Sequence, residues 1–370
     1  MRITAVTTWF PTEQAPSRGS FVLRDVHALQ SLHDVRLVHL VPPADDDGTR
    51  RLTHEGVEVL RIPMNPADPA SVARAAARLR HALAGAQLVH SMAFSSLEPL
   101  SLARPDVPWV HTEHWSALTN PETLGRAGRA ALPALSRLLA LPDVVTTVCD
   151  YLARPVRAVR GERPTRVVPC IVEPYDPAPR RPRRDGRLEL VSVGGLIDRK
   201  DPLLAVRTVA ELASRDVDAH LAWAGEGPLR DEVLALASEL GVTERVRLLG
   251  TLDREGVREA LAAADLFLGP TKGDNFFVSA AEAVIAGRPV VVGTAGGQDE
   301  YLTRVTARLV ASREPASWAD AVIDLDAAAL STSAEEISAS IGDAFSSPVV
   351  AAGYHRVYRE ALAPRTEGWS

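Results

Sequence analysis

Short runs of β-branched and apolar residues recur along this chain, and most are followed by a longer amphipathic stretch rich in Ala and Leu. A strand covered on both faces reads as a continuous apolar run. Two parallel strands need a crossover between them, which the amphipathic stretch supplies as a helix. The alternation therefore predicts βαβ units and parallel sheets. In the first half, strands are expected near 2–8, 35–41, 57–62, 87–91, 107–112, 143–148 and 166–171, with helices such as Phe21–Ser31 and Ala70–Leu83 between them. In the second half they are expected near 187–193, 218–223, 245–249, 265–269, 289–293 and 307–311. The helices there fall near 202–214, 228–240, 254–263, 277–286 and 315–327.

A chain of 370 residues is too long for one ordinary domain and suits two of about 150–200 residues. The break lies at 174–186, where Pro and Arg crowd together and neither a strand nor a helix can continue. The expected division is a first doubly wound domain over 1–173, the linker 174–186, and a second over 187–345. A helix and tail over 346–370 complete it, with the helix crossing back to the first domain. Two such domains facing across a cleft would bring together the strand ends at which open α/β sheets bind ligands.

The balance of 41 basic and 47 acidic residues, a net charge of −6, argues against general nucleic-acid binding. The two cysteines, Cys149 and Cys170, make no disulfide framework and read as small core residues of a cytoplasmic protein. Met1 and Arg2 lead straight into a strand-like run, without the order of a secretory leader. No apolar run approaches the ~20 residues that span a bilayer. The Arg126–Arg137 stretch reads as a solvated helix, with peripheral membrane contact left open.

The densest chemical signal is Pro270–Gly287: loop and helix between two apolar strands. Asp274 sits in the loop. Phe277 to Ser279 would offer the backbone N–H groups of a helix start, which together with the helix dipole bind phosphate. Glu282 is the only charge between Val278 and Arg288, and a lone carboxylate in an apolar helix needs a partner such as ribose hydroxyls. A second signal is Val191–Pro202, strand then Gly194-Gly195 then Arg199 and Lys200 at a helix start. Glycine lets a backbone approach phosphate, and cations at the turn can neutralise a diphosphate. Third, Gly225-Glu226-Gly227-Pro228 makes a tight turn into a helix.

Together these segments resemble the retaining, nucleotide-sugar-dependent glycosyltransferases of the GT-B fold, the large bacterial group called family four. Asp274 and Glu282 match its Glu-x7-Glu signature, whose first acid contacts the transferred sugar and whose second contacts the nucleotide ribose. Here the first acid is Asp, and Phe277 stands where Gly is usual. Lys200 matches the group's diphosphate-binding Lys. The accompanying Arg is replaced by Gly195, so that contact is either missing or supplied from elsewhere, with Arg199 the candidate. Gly225 lines the donor site by the same resemblance, the backbone at Leu249 meets the nucleotide base, and Gly296-Gly297-Gln298-Asp299-Glu300 matches a further element.

In the first domain, Gly19 opens a helix after a Pro-rich loop and is expected beside the departing diphosphate. His114, in Thr112-Glu113-His114, matches the group's His next to the reacting sugar, and Glu113 and Trp115 are expected at the acceptor. His111, Glu113 and His114 lack the spacing of a zinc site, so no metal is expected.

The resemblance implies transfer of a hexose-type sugar from a UDP- or GDP-sugar to an acceptor hydroxyl with retention, the donor being a co-substrate and no cofactor being needed. The acceptor would be a small natural product, such as an antibiotic, or a glycan. An epimerase or hydrolase on this fold would consume donor without acceptor. A silent nucleotide-sugar-binding protein would bind donor and consume none.

Overall fold

A computed structural model describes residues 1–16, 18–179, 183 and 186–363. The chain divides into two compact units. One is Met1–Ile171 together with the chain from Ser346 onward, and the other is Val172–Phe345. Of the linker over 174–186, positions 180–182, 184 and 185 lie outside the described residues, as does the tail from 364.

The first unit carries β1 (Arg2–Thr7), α1 (Ser20–Gln30), β2 (Asp34–Val41), β3 (Arg51–His54), β4 (Val57–Pro63), α2 (Pro69–Ala82) and β5 (Leu88–Met92). It continues with α3 (Leu97–Leu102), β6 (Trp109–Glu113), α4 (Arg126–Ser136), β7 (Val144–Thr147), α5 (Asp150–Arg160) and β8 (Thr165–Val167). Its sheet runs β3-β4-β2-β1-β5-β6-β7-β8, parallel except for the antiparallel edge strand β3. The sequence pattern misses β3 because Arg51–His54 is a polar edge strand, exposed or half-buried throughout. β8 stops short of the expected 171 because Pro169 brings no N–H to a ladder.

The second unit carries β9 (Leu188–Val193), α6 (Pro202–Ser214), β10 (Ala219–Ala224), α7 (Arg230–Glu239), β11 (Val246–Gly250), α8 (Arg254–Ala263) and β12 (Leu266–Gly269). Then come α9 (Val278–Ile285), β13 (Val290–Gly293), β14 (Ala307–Val310), α10 (Pro315–Ala329) and α11 (Ala334–Ala339). The sheet order is β11-β10-β9-β12-β13-β14, all parallel. Winding runs outward from β9 to β11, then restarts at β12 on the other side. The switch point therefore lies between β9 and β12, where open α/β sheets bind ligands. Local chemistry sets the helix starts: Asp201 accepts from Leu204 N–H and Asp253 from Gly256 N–H, while Pro202 fixes the first turn of α6.

The last helix, α12 (Ser347–Leu362), returns to the first unit. Val350, Ala351, Tyr354, Val357 and Tyr358 join the core formed by β1, β2 and α1. Polar anchors add direction. Tyr354 Oη donates to Asp25 at 3.3 Å, Tyr358 Oη lies 2.7 Å from His90 Nδ1, and Arg166 pairs with Glu360 at 2.6 Å. No helix among the described residues is long and apolar enough to cross a membrane.

Asp25 is buried, and that burial raises its carboxyl to about 7, opposed by the Tyr354 hydrogen bond and Arg24. A carboxyl raised in the folded state contributes stability that is fully present below its unfolded value near ~4. That contribution is lost as pH rises through about 7. Asp25→Asn keeps the shape and the donor capacity of the protonated acid. The variant should melt with the wild type at pH 4 and above it at pH 8, by thermal unfolding. Parallel melting-temperature profiles would refute the assignment.

Candidate functional site

Both loops that follow the switch-point strands of the second unit carry charge, and they are knitted together. Lys272 N–H donates to Arg199 C=O at 2.8 Å, Thr271 Oγ1 to the same carbonyl at 3.1 Å, and Lys272 Nζ to Asp198 at 2.6 Å. Arg313, from the loop after β14, holds the second loop from outside, donating to Pro270 C=O at 2.7 Å and pairing with Asp201.

At the centre is Asp274. Its Oδ2 accepts from Lys200 Nζ at 2.6 Å and Arg199 Nη1 at 2.7 Å, and its Oδ1 accepts from Phe277 N–H at 3.1 Å. Burial pushes this carboxyl up, but Lys200 and Arg199 outweigh it and hold it well below the usual carboxylate range. Burial and Arg199 lower Lys200, against the pull of Asp274. Lys200 Nζ also sits 4.0 Å from the centroid of the Phe277 ring, a cation–π contact. The two expected phosphate-binding cations thus converge on one point beside the N-terminus of α9. Asp274 is engaged as the strut between them, and Phe277 N–H, expected to be free for an anion, is taken by Asp274.

Phe277 caps α9 at φ 58° and ψ 60°, a left-handed conformation that costs a side chain on the order of 1 kcal/mol and that glycine adopts freely. The resembled group's usual Gly thus has a backbone reason. Burial of the ring against Phe267 at 5.8 Å offsets the cost here. It also demands Gly269, whose Cβ would lie 2.7 Å from Phe277 Cζ. Val278 and Ser279 follow in the first turn of α9, with Ser279 Oγ donating to Val193 C=O at 2.9 Å. Tyr301 Oη reaches the carbonyls of Phe276 and Phe277 at 3.0 and 2.9 Å.

Glu282 stands one turn into α9, half-buried. Tyr175, from the linker segment, is raised first by burial and then by the Glu282 charge, and Arg258 stacks 4.4 Å over its ring. The turn at Gly225 interlocks with the loop after β9. Gly194 N–H donates to Ala224 C=O at 2.9 Å, Leu196 N–H to Glu226 C=O at 3.0 Å, and Gly225 N–H to Gly250 C=O at 2.7 Å. A Cβ on Gly225, at φ 143°, would meet Gly194 O at 2.0 Å, so only glycine fits. Leu249 is the next-to-last residue of β11, just before Gly250, which meets this turn. By contrast a Cβ at Gly195 meets nothing closer than 3.5 Å.

In the first unit, Gly19 caps α1 at φ 70°, and a Cβ there would lie 2.3 Å from the Trp9 carbonyl carbon. Trp9 is 48% exposed on a backbone fixed by Thr7 Oγ1. An aromatic row runs from it: Trp9 to Phe21 at 6.0 Å, and Phe21 to His114 at 4.7 Å. Burial lowers His114 to about 4, with Glu113 opposing and His111 reinforcing. Trp115 packs on Phe94 at 4.6 Å.

Glu113 must be corrected as a direct acceptor contact. It is fully buried, its Oε1 accepts from His114 and Trp115 N–H at 2.8 and 2.7 Å, and His111 lies 3.2 Å from Oε2. It shapes the turn that presents His114 instead. Tyr175, Tyr301, Arg258 and Arg313 carried no sequence signal, being single residues outside any motif.

Known proteins show the same build. The model of the glycosyl transferases group 1 matches residues 187–327, and that of the glycosyl transferase 4-like domain matches 19–170. The chain is 28% identical over 232 residues to a 2-deoxystreptamine glucosyltransferase of Streptomyces kanamyceticus, covering 58% of this chain and 60% of that one. It is 31% identical over 262 residues to a D-inositol 3-phosphate glycosyltransferase of Nocardia farcinica, covering 64% and 57%. These matches thus span about three fifths of each relative's length. Among solved structures, a sucrose-phosphate synthase from Thermosynechococcus elongatus aligns with TM-score 0.80 at 19% identity, over 98% of this chain and 100% of that one. Anabaena HepE in complex with UDP and glucose aligns with TM-score 0.74 at 17% identity, over 97% and 99%.

Two parallel-sheet α/β domains in this order, aligned with these structures over nearly the whole chain, define the GT-B fold. Within that fold, the chain belongs to the families whose models match it, the glycosyl transferases group 1 over residues 187–327 and the glycosyl transferase 4-like domain over 19–170.

Proposed function

We propose that this glycosyltransferase takes a nucleoside-diphosphate hexose, UDP- or GDP-linked, and transfers the sugar with retention to a hydroxyl of a polyhydroxylated ring, without a metal. The convergence of Lys200 and Arg199 beside the N-terminus of α9, with Glu282 one turn on, carries the donor half. Fixed cations there act where charge grows on the leaving phosphate, so they favour the transition state over the ground state. The leaving phosphate oxygen takes the acceptor proton, and no side-chain nucleophile is required.

Asp274 holds the cations at one spacing and keeps acceptor capacity on Oδ1 for a sugar hydroxyl. His114, lowered to about 4, is neutral at physiological pH and offers the sugar a hydrogen bond rather than a charge. The exposed Trp9 indole and Phe21 supply apolar faces of the kind sugar and cyclitol rings stack on. Two relatives named for 2-deoxystreptamine and D-inositol 3-phosphate, both six-membered carbocycles, support a ring acceptor in natural-product or glycan assembly. A cytoplasmic location belongs to the same proposal.

The test is product analysis with UDP-glucose or GDP-mannose, with and without each of those two cyclitols. Transfer only with acceptor supports the reading, whereas equal donor loss in its absence makes the protein a hydrolase. His114→Ala should lower kcat roughly 100-fold at near-unchanged donor Kd, as loss of a transition-state contact does. A variant that loses donor affinity instead would contradict this role.

A further inference from the structure

We propose that the pocket between the β3–β4 hairpin and α2 is a separate site for a phosphate-bearing anion. It has a volume of about 470 Å³, and its walls bring together Arg50, Arg51, Arg61, Arg78 and His81. That volume falls within the ~300–1,000 Å³ of ordinary small-molecule sites. Leu60 and Ile62 add an apolar floor.

Charge accounting distinguishes it from a merely solvated surface. Asp46 pairs with Arg50 at 2.6 Å and Asp47 with Arg61 at 2.7 Å. Arg51 and Arg78 have no carboxylate partner among the described residues, although they line one concavity. Glu58, opposite Thr53 on the hairpin, is the nearest acid in the register and pairs with neither. An Arg on an edge strand can serve to repel strand pairing, but Arg78 comes from α2 and has no such task. Two guanidinium forks without counter-ions, in a concavity rimmed by two further guanidinium groups, suit the several oxygens of a phosphate.

The site is not the acceptor's. Between β4 and β6, the strand that leads into His114, lie β2, β1 and β5, so β4 and β6 are four spacings of ~4.8 Å apart, about 19 Å. A small acceptor ring seated beside His114 does not also reach β4. The proposal therefore stands apart from the donor and acceptor assignments. Its ligand is a soluble phosphate compound or a lipid headgroup, and the chemistry is the same for both.

The experiment titrates inorganic pyrophosphate into the full-length protein by calorimetry at fixed ionic strength. Vesicles of phosphatidylcholine, with or without phosphatidylglycerol, are sedimented in parallel. Arg51→Gln/Arg78→Gln, checked for unchanged melting, should lose one pyrophosphate site or weaken it more than tenfold, while UDP binding stays as in the wild type. Arg51→Lys/Arg78→Lys should retain part of that affinity. Loss of vesicle binding in the Gln variant, with soluble pyrophosphate ignored by the wild type, would identify the headgroup as the source. If the Gln variant binds both probes as the wild type does, the site does not exist. Lys200→Ala reports only on the other unit, so either assignment can fail alone.

Discussion

Asp274→Asn is expected to lower the melting temperature of the ligand-free protein by roughly 6–12 °C and to reduce turnover at least ~100-fold. Removing one partner of a buried ion pair costs about 3–5 kcal/mol, because the remaining charge keeps its desolvation penalty. Here two cations would remain, side by side. The side chains of Arg199, Asp274 and Lys200 are 27%, 18% and 12% exposed, which places the cost near the lower figure. For a unit of this size ~3 kcal/mol corresponds to the stated drop.

The sign with pH follows from a depressed carboxyl. Its contribution is present above the unfolded value near ~4 and is lost only as pH falls through the lower folded value. The gap between wild type and variant should therefore be constant from pH 8 to pH 5. A second consequence separates a strut from a simple fold defect. The freed cations still face the helix start, so millimolar UDP should stabilise the variant more than it stabilises the wild type. Equal melting of the two ligand-free proteins would remove Asp274 from the role of strut.

How much of this was legible beforehand depends on the range of the physics. Continuous apolar runs such as Val290–Gly293 announce themselves, since a parallel strand is covered on both faces. Caps at Asp201 and Asp253 are equally local. The polar edge strand β3 and the short helix α11 are not announced, because neither carries a buried stripe long enough to set a period. At the site, residue types were readable and their partners were not. Lys200 and Asp274 stand 74 positions apart and meet only because β9 and β12 are neighbours at the switch point. The sequence order gives no hint that Asp274 is consumed by the cations, nor that Glu113 is sealed beneath His114. Phe277 at first reads as a departure from a Gly pattern. The backbone explains it, since the position requires a left-handed residue and the ring is held by Gly269 and Lys200.

Glu282→Ala should weaken UDP binding by roughly 10- to 100-fold while the protein melts within a few degrees of the wild type. Hydrogen bonds from hydroxyls to a carboxylate contribute about 1.5–3 kcal/mol, and each 1.4 kcal/mol is tenfold in Kd. Glu282 is half-buried and stands one turn into α9, close to the helix start where Lys200 and Arg199 converge. Its charge also bears on Tyr175, whose hydroxyl is raised by burial and by Glu282 together. Glu282→Gln keeps volume and one acceptor, so it should fall between Ala and wild type. Saturating donor should restore much of the Ala variant's kcat, because a ribose contact acts on ground state and transition state alike. That pattern, high donor KM with kcat largely kept, differs from the loss of turnover expected at Asp274. Calorimetric titration of UDP into the three proteins decides the matter. A Kd for Glu282→Ala equal to that of the wild type would move the nucleoside away from α9.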